Sequence, residues 1–181
     1  MSASCVNCIF ACVKQLPLRN VVVDRRYSTL KIPISVLVVI YQSNGDVLLI
    51  ERADRAGFWQ SVTGSLDAPT EDLALAAARE VQEETGIDVQ SLPLGALQNM
   101  HHAIEYEIYP EWRFRYPPGI TRNTEHWFSL EVPRGLPIRL SPREHVAYRW
   151  LPFNEAARQC FSRSNSDAIM SLFSAPSALS D

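Results

Sequence analysis

The sequence predicts an α/β fold of the α+β kind, a mixed sheet in an α/β/α sandwich, and three observations carry that prediction. An apolar, β-branched run from Ile32 to Tyr41 and a second run after Asn44-Gly45 read as a hairpin. A longer amphipathic helix pattern follows an extended segment near Gly57 to Leu66. Further strand-like segments then precede two shorter helical ones, so strands lie before, between and after the helices, as a layered sandwich requires.

Bulk properties narrow the class. A chain of 181 residues suits one domain. No apolar run approaches the roughly 20 residues that span a bilayer. A net charge of -3 gives the whole molecule no pull toward DNA, RNA or anionic lipid, so neither a nucleic acid nor a membrane partner is expected.

Cys5, Cys8 and Cys12 crowd the N-terminus, but a zinc site needs a fourth ligand, and no second C-x-x-C or paired-histidine motif supplies it. They read as reduced cysteines of a cytoplasmic protein. Lys14 and Arg19 follow the short apolar run Cys8 to Val13, the reverse of a secretory signal. Residues 1–28 have no clean period and are expected to be an appendage, or to reflect a start placed too early, with an alternative near Val21 to Val23. The domain is expected over 29–174, and residues 175–181 as a frayed tail.

The elements follow in order. The run Ile32 to Tyr41 is apolar on both faces, as in a buried strand, and Asp46 to Arg52 forms its hairpin partner. Gly57 to Leu66 is extended and ends at the Asp67-Ala68-Pro69 turn. A helix is predicted over Glu71 to Thr85, with Thr70 as N-cap, Glu71 and Asp72 at the positive end of its dipole, and Gly86 as its stop. Leu73, Ala77 and Val81, flanked by Ala74 and Ala78, form its sheet-facing side. Further strands are expected at Leu94 to Ile108, bent or interrupted, and at Trp112 to Tyr116, Glu125 to Val132 and Ala147 to Leu151. Helices are expected over Pro152 to Cys160 and Asp167 to Phe173.

The chemistry gathers on the long helix. Glu80, Glu83 and Glu84 stand at i, i+3 and i+4, which sets three carboxylates within an arc of about 100°. Like charges so placed destabilise an isolated helix by several tenths of a kcal/mol per pair, about as much as an opposite-charge pair stabilises it. A hard divalent cation, which prefers carboxylate oxygen, would turn that repulsion into a site. Spacing alone favours a solvated acidic face.

The surrounding string decides between these. R-E-V-Q-E-E-T-G-I, from Arg79 to Ile87, resembles the core of the Nudix box, R-E-U-x-E-E-x-G-U with U apolar. Glu71 stands seven intervening residues before Arg79, as in the full box, whereas Gly64 stands six rather than five before Glu71. The loop Ser65 to Thr70 therefore carries one extra residue, which a surface turn accommodates at small cost.

The resemblance implies a Nudix α/β/α sandwich and hydrolysis of a diphosphate linkage with magnesium, or manganese, as cofactor. It implies that Glu80, Glu83 and Glu84 hold metal, that the Gly64 carbonyl contributes, and that Arg79 orients a glutamate. Glu144, in S-P-R-E-H-V-A-Y-R-W-L, is the candidate for a further ligand or the general base. His101, His102, His126 and His145 have no zinc spacing and are expected to be structural or exposed.

Other stretches resemble one bacterial branch of the family, the dihydroneopterin triphosphate diphosphatases, also described as dATP pyrophosphohydrolases. They are K-x-P-x-S-x-L-V-V-I-Y from Lys31, F-W-Q-S-V-T-G-S from Phe58, R-Y-x-P-G-x-T-R-N-T-E-x-W-F from Arg115, and E-H-x-A-Y-x-W-L from Glu144. The branch implies release of pyrophosphate from 7,8-dihydroneopterin triphosphate in folate synthesis. It also implies substrate contacts at Lys31, Arg52, Thr63, at Tyr106, Glu107, Ile108 and Tyr109, and at Ser162. Arg113, Arg115 and Arg122 are further phosphate candidates. Two readings stay open beside it: hydrolysis of dATP, and a non-catalytic Nudix ligand-binding module.

Overall fold

A computed structural model describes residues 30–174. All of the expected appendage, with Cys5, Cys8 and Cys12, and the tail from 175 lie outside the described residues. Among these residues no helix is long and apolar enough to cross a membrane.

A seven-stranded mixed sheet is built around β1 (Ile34–Gln42). Its apolar run is continuous because it is covered on both faces. Along its whole length β1 pairs in parallel with β6 (Arg122–Val132), while its first half pairs antiparallel with β4 (Val62–Ser65). The hairpin with β2 (Asp46–Arg52) closes only at Tyr41 and Val47, after which β2 turns to β3 (Trp59–Gln60) and β7 (His145–Pro152). At the far edge β5 (Leu97–Glu107) pairs with β6.

One sheet face, with Val36, Val38, Ile40 and Phe128, packs on Ala76, Ala77 and Val81 of α1 (Leu73–Thr85). The other, with Leu37, Val39, Leu49 and Trp127, packs on Ala156 and Ala157 of α2 (Phe153–Gln159) and on Ala168 and Ile169 of α3 (Arg163–Ser174). Each large apolar side chain so buried is worth about 2 kcal/mol. Alanines at the helix contacts let the helices lie close to the sheet.

Several expectations are corrected. The cap of α1 is Asp72, not Thr70: its carboxylate accepts from the Ala74 and Leu75 N–H groups at 2.8 and 3.1 Å. Glu71 is left outside the helix because Arg79 draws its side chain back. Ala74 is exposed, and Ala76 takes its place in the core. Trp112 to Tyr116 is no strand; Pro110–Arg115 forms a 3-10 turn, begun by a proline already at helical φ and held by Trp112 N–H donating to the Tyr109 carbonyl at 2.9 Å. Pairing of β5 slips between Asn99 and Ala103, where His101 adopts a φ of 52°. Finally, α3 begins at Arg163, with Ser162 Oγ accepting from Asn165 N–H at 3.2 Å, rather than at Asp167.

Candidate active site

The second half of α1 runs against β4, and this contact sorts the three glutamates. Glu80 and Glu84 turn inward, 9% and 5% exposed, while Glu83 faces solvent. The approach is possible because residue 64 is glycine: an ideal β-carbon there would overlap the Glu80 carboxylate. Despite the extra residue in the loop that follows it, Gly64 meets Glu80.

Arg79 organises that loop and the acid beside it. Its guanidinium reaches Glu71 at 3.0 Å, Asp67 at 3.3 Å, Glu80 at 2.7 Å, Glu83 at 3.4 Å and the Ser65 carbonyl at 3.0 Å. Glu71 also accepts from the Asp67 N–H at 2.6 Å. Burial pushes the Glu80 carboxyl up to about 7, opposed by Arg79 and reinforced by the neighbouring Glu84 and Glu83.

Glu84 is held from two other elements. Its Oε2 accepts from the Thr63 N–H at 3.3 Å, and its Oε1 lies 3.3 Å from His145 Nε2, near enough for charge pairing though not aligned as a hydrogen bond. Burial raises the Glu84 carboxyl as well, against the pull of His145. His145, which sequence reasoning did not place in the site, is buried beside Glu84 within it. The adjacent E-H pair on the turn into β7 was the available signal. Glu144 is exposed, and ligand atoms of Glu84, Glu144 and His145 lie within 4.8 Å of one another. The Glu144 carbonyl accepts from Ala53 N–H at 2.8 Å, fixing this turn to the end of β2.

Across the cleft stand cations. Lys31, Arg52 and Arg115 line the same depression as the glutamates. Arg52 is braced by Asp54 through two bonds of 2.8 and 2.6 Å. Burial, and then Arg115, lower the Lys31 ammonium pKa. Arg113 and Arg122 are engaged elsewhere, with Glu107 and Glu105.

Past Lys31, Arg52 and the Thr63–Ser65 strand, the depression opens into a cavity of about 370 Å³. Tyr106, Glu107, Ile108, Tyr109 and Ser162 all line it, although the Glu107 carboxylate turns to Arg113 at 2.7 Å. Phe161, stacked on Phe58 at 3.7 Å between centroids, adds an aromatic wall. Apart from Arg113 and Arg122, every site residue expected from the sequence borders one or the other of these two adjoining depressions. Sequence reasoning missed Ser35, Glu125, Ser164 and Asn165 in the cavity wall. The signal for the first two was a polar residue inside an apolar strand.

Residues 31–172 match the NUDIX domain. The chain belongs to the NUDIX family. It is 46% identical to the dihydroneopterin triphosphate diphosphatase of Escherichia coli K12 over 140 residues, 77% of this chain and 91% of that one. With the enzyme of the same name from Haemophilus influenzae it shares 39% over 136 residues, 75% of this chain and 84% of that one. Its fold is similar to the solved E. coli dihydroneopterin triphosphate pyrophosphohydrolase, with a TM-score of 0.71, 44% identity, and coverage of 78% of this chain and 95% of that one. A Caenorhabditis elegans Ap4A hydrolase complex, 19% identical, has the same fold at a TM-score of 0.58, covering 78% of this chain and 95% of that one.

Proposed function

We propose that this NUDIX protein is a magnesium-dependent, cytoplasmic pyrophosphohydrolase that converts 7,8-dihydroneopterin triphosphate and water to 7,8-dihydroneopterin monophosphate and pyrophosphate, with residues 29–174 as its catalytic domain. The observation that carries this reading is the joined cleft: buried carboxylates at one end, an aromatic and polar cavity at the other, and Lys31 and Arg52 at the junction. A ring in the cavity would send its triphosphate past these cations toward α1.

The donor set fits a hard divalent cation. Glu80 and Glu84 are buried acids whose ionisation burial opposes, with Arg79 and His145 beside them and Lys31 across from them as partly compensating groups. Oxygen donors of this kind suit magnesium, or manganese. Glu80 and Glu84 would hold it, with Glu83, Glu144 and the Gly64 carbonyl as further donors. Bound there, the metal would neutralise charge on the phosphate oxygens and acidify water.

The chain's own groups do the rest. Arg79 pairs with Glu80, and the Thr63 N–H holds Glu84, with His145 beside it. Lys31, Arg52 and Arg115 offset the phosphate charge that the acidic helix would otherwise repel. Glu144, exposed near Glu84, would serve either as a further donor or as the base that accepts the proton lost by the attacking water. Thr63, Tyr106, Glu107, Ile108, Tyr109 and Ser162 border the space for the ring and its side chain.

The test is pyrophosphate release with magnesium from 7,8-dihydroneopterin triphosphate and from dATP, compared as kcat/KM. A clear preference for the pterin is expected. Preference for dATP would transfer the function to nucleotide hydrolysis, and turnover of neither would leave a ligand-binding module.

A further inference from the structure

The ring cavity has a polar floor that packing alone does not account for. Ser35, Asn123, Glu125 and Tyr106 stand on one face of the sheet, where Glu125 is the β6 partner of Ser35 and of Ile104, and Asn123 is the partner of Tyr106. Further along the same face, Leu37, Val39 and Trp127 are wholly apolar core. An uninterrupted apolar floor would bury more surface at no polar cost.

Glu125 is the sharpest departure. It is 3% exposed and lines the cavity, yet among the described residues no cation pairs with it. Its carboxylate is held only by Trp127 Nε1, which donates at 3.3 Å, and by the Ser164 hydroxyl. Two oxygens with about four acceptor sites therefore meet two donors, and the rest of their capacity is unused. Around it the floor is preset: Asn123 Nδ2 donates to Ser35 Oγ at 2.7 Å and to the Tyr106 hydroxyl at 3.2 Å. The Asn123 Oδ1 is buried with no partner.

Such a carboxylate needs a ligand that brings N–H donors. The far edge of a pterin, its 2-amino-4-oxopyrimidine side, presents an exocyclic amino group beside a ring N–H, two parallel donors that match two carboxylate oxygens. Adenine presents its amino group beside a ring nitrogen that only accepts, so a carboxylate gains one bond there and meets one repulsion. We propose that Glu125 is the residue that selects the ring, accepting both donors of a 2-amino-4-oxopyrimidine edge and thereby disfavouring adenine. The inference rests on the function proposed above, because it takes the pterin triphosphate as substrate. A site built to hydrogen-bond a ligand group discriminates strongly against analogues that lack it.

The experiment compares wild type with Glu125→Gln, which keeps the shape but replaces one acceptor by a donor. On 7,8-dihydroneopterin triphosphate kcat/KM should fall at least 30-fold, mostly through KM, while on dATP it should hold or rise, since an amide complements adenine. Binding of 7,8-dihydroneopterin itself, which has no phosphate and needs no metal, should weaken at least tenfold by fluorescence titration. Equal losses on both substrates would make Glu125 a structural residue and overturn the proposal, as would no change on either. If Glu125→Gln does not fold, Glu125→Asp keeps the charge but shortens the reach, and must show the same pterin-selective loss. Wild type inactive on the pterin triphosphate would instead refute the function reading, and this inference with it; wild type active with an unselective Glu125 variant refutes the inference alone.

Discussion

The Glu80 carboxylate occupies the space that a β-carbon on Gly64 would fill. This contact couples the strand to the acidic helix, and it ties the glycine of the box to a steric need rather than to backbone conformation, since Gly64 is not among the glycines of positive φ. Gly64→Ala should displace Glu80 and lower kcat/KM at least 100-fold, equivalent to about 2.7 kcal/mol. The melting temperature, by contrast, should drop by only a few degrees if Glu80 can rotate toward solvent. Activity within threefold of wild type would refute the coupling.

Arg79 touches four carboxylates and one carbonyl. A lysine cannot reproduce that fork, so Arg79→Lys should cost about 1–2 kcal/mol of stability. It should also lower kcat by about tenfold or more through the freed Glu80. Urea melts and magnesium titrations of the rate together check both parts, and a variant with unchanged magnesium dependence would place Arg79 in the loop's stability alone.

Glu84→Gln should abolish turnover with the fold largely intact. The amide can still accept from Thr63 N–H and meet His145, but it offers a much weaker metal donor. Unfolding of this variant, by circular dichroism, or full activity would each count against the assigned role.

The buried glutamates also set a pH dependence for the metal-free protein. The Glu80 carboxyl is raised from 4.5 to about 7 in the fold, so between those values the unfolded chain holds fewer protons than the native state. Stability must then fall as pH rises from about 4.5 to about 7, by up to about 3 kcal/mol from this group. In EDTA, the melting temperature of wild type should decline over this window more steeply than that of Glu80→Gln. Magnesium should restore wild type most at the upper end. Parallel curves for the two proteins would remove Glu80 as the source.

How much was legible in the sequence differs by the kind of signal. The buried strand β1, the hairpin turn at Asn44-Gly45 and the helix ending at Gly86 were readable because periodicity, turn chemistry and capping are local. Arg79, Glu80, Glu83 and Glu84 were readable for the same reason, since helical spacing alone puts them near one another. The start of α1 was misread because Thr70 and Asp72, two residues apart, can both cap, and Arg79 reaches back eight residues to hold Glu71 outside the helix. Trp112 to Tyr116 has strand-like composition but no neighbouring strand to pair with, and sheets form only where partners exist.

By itself, then, the sequence determined most of the elements, the acidic arc and the family resemblance, all from residues near one another along the chain. Tertiary structure alone decided which carboxylates are buried, because burial depends on β4 and on the β7 turn arriving from far along the chain. It also decided that His145 stands against Glu84, and that Ser35 and Glu125, 90 residues apart, share the floor of one cavity. The Ser35–Glu125 contact arises from the parallel pairing of β1 with β6, and the others from the antiparallel pairings that bring β4 to β1 and β7 to β2; no local pattern specifies which distant strand will be the partner.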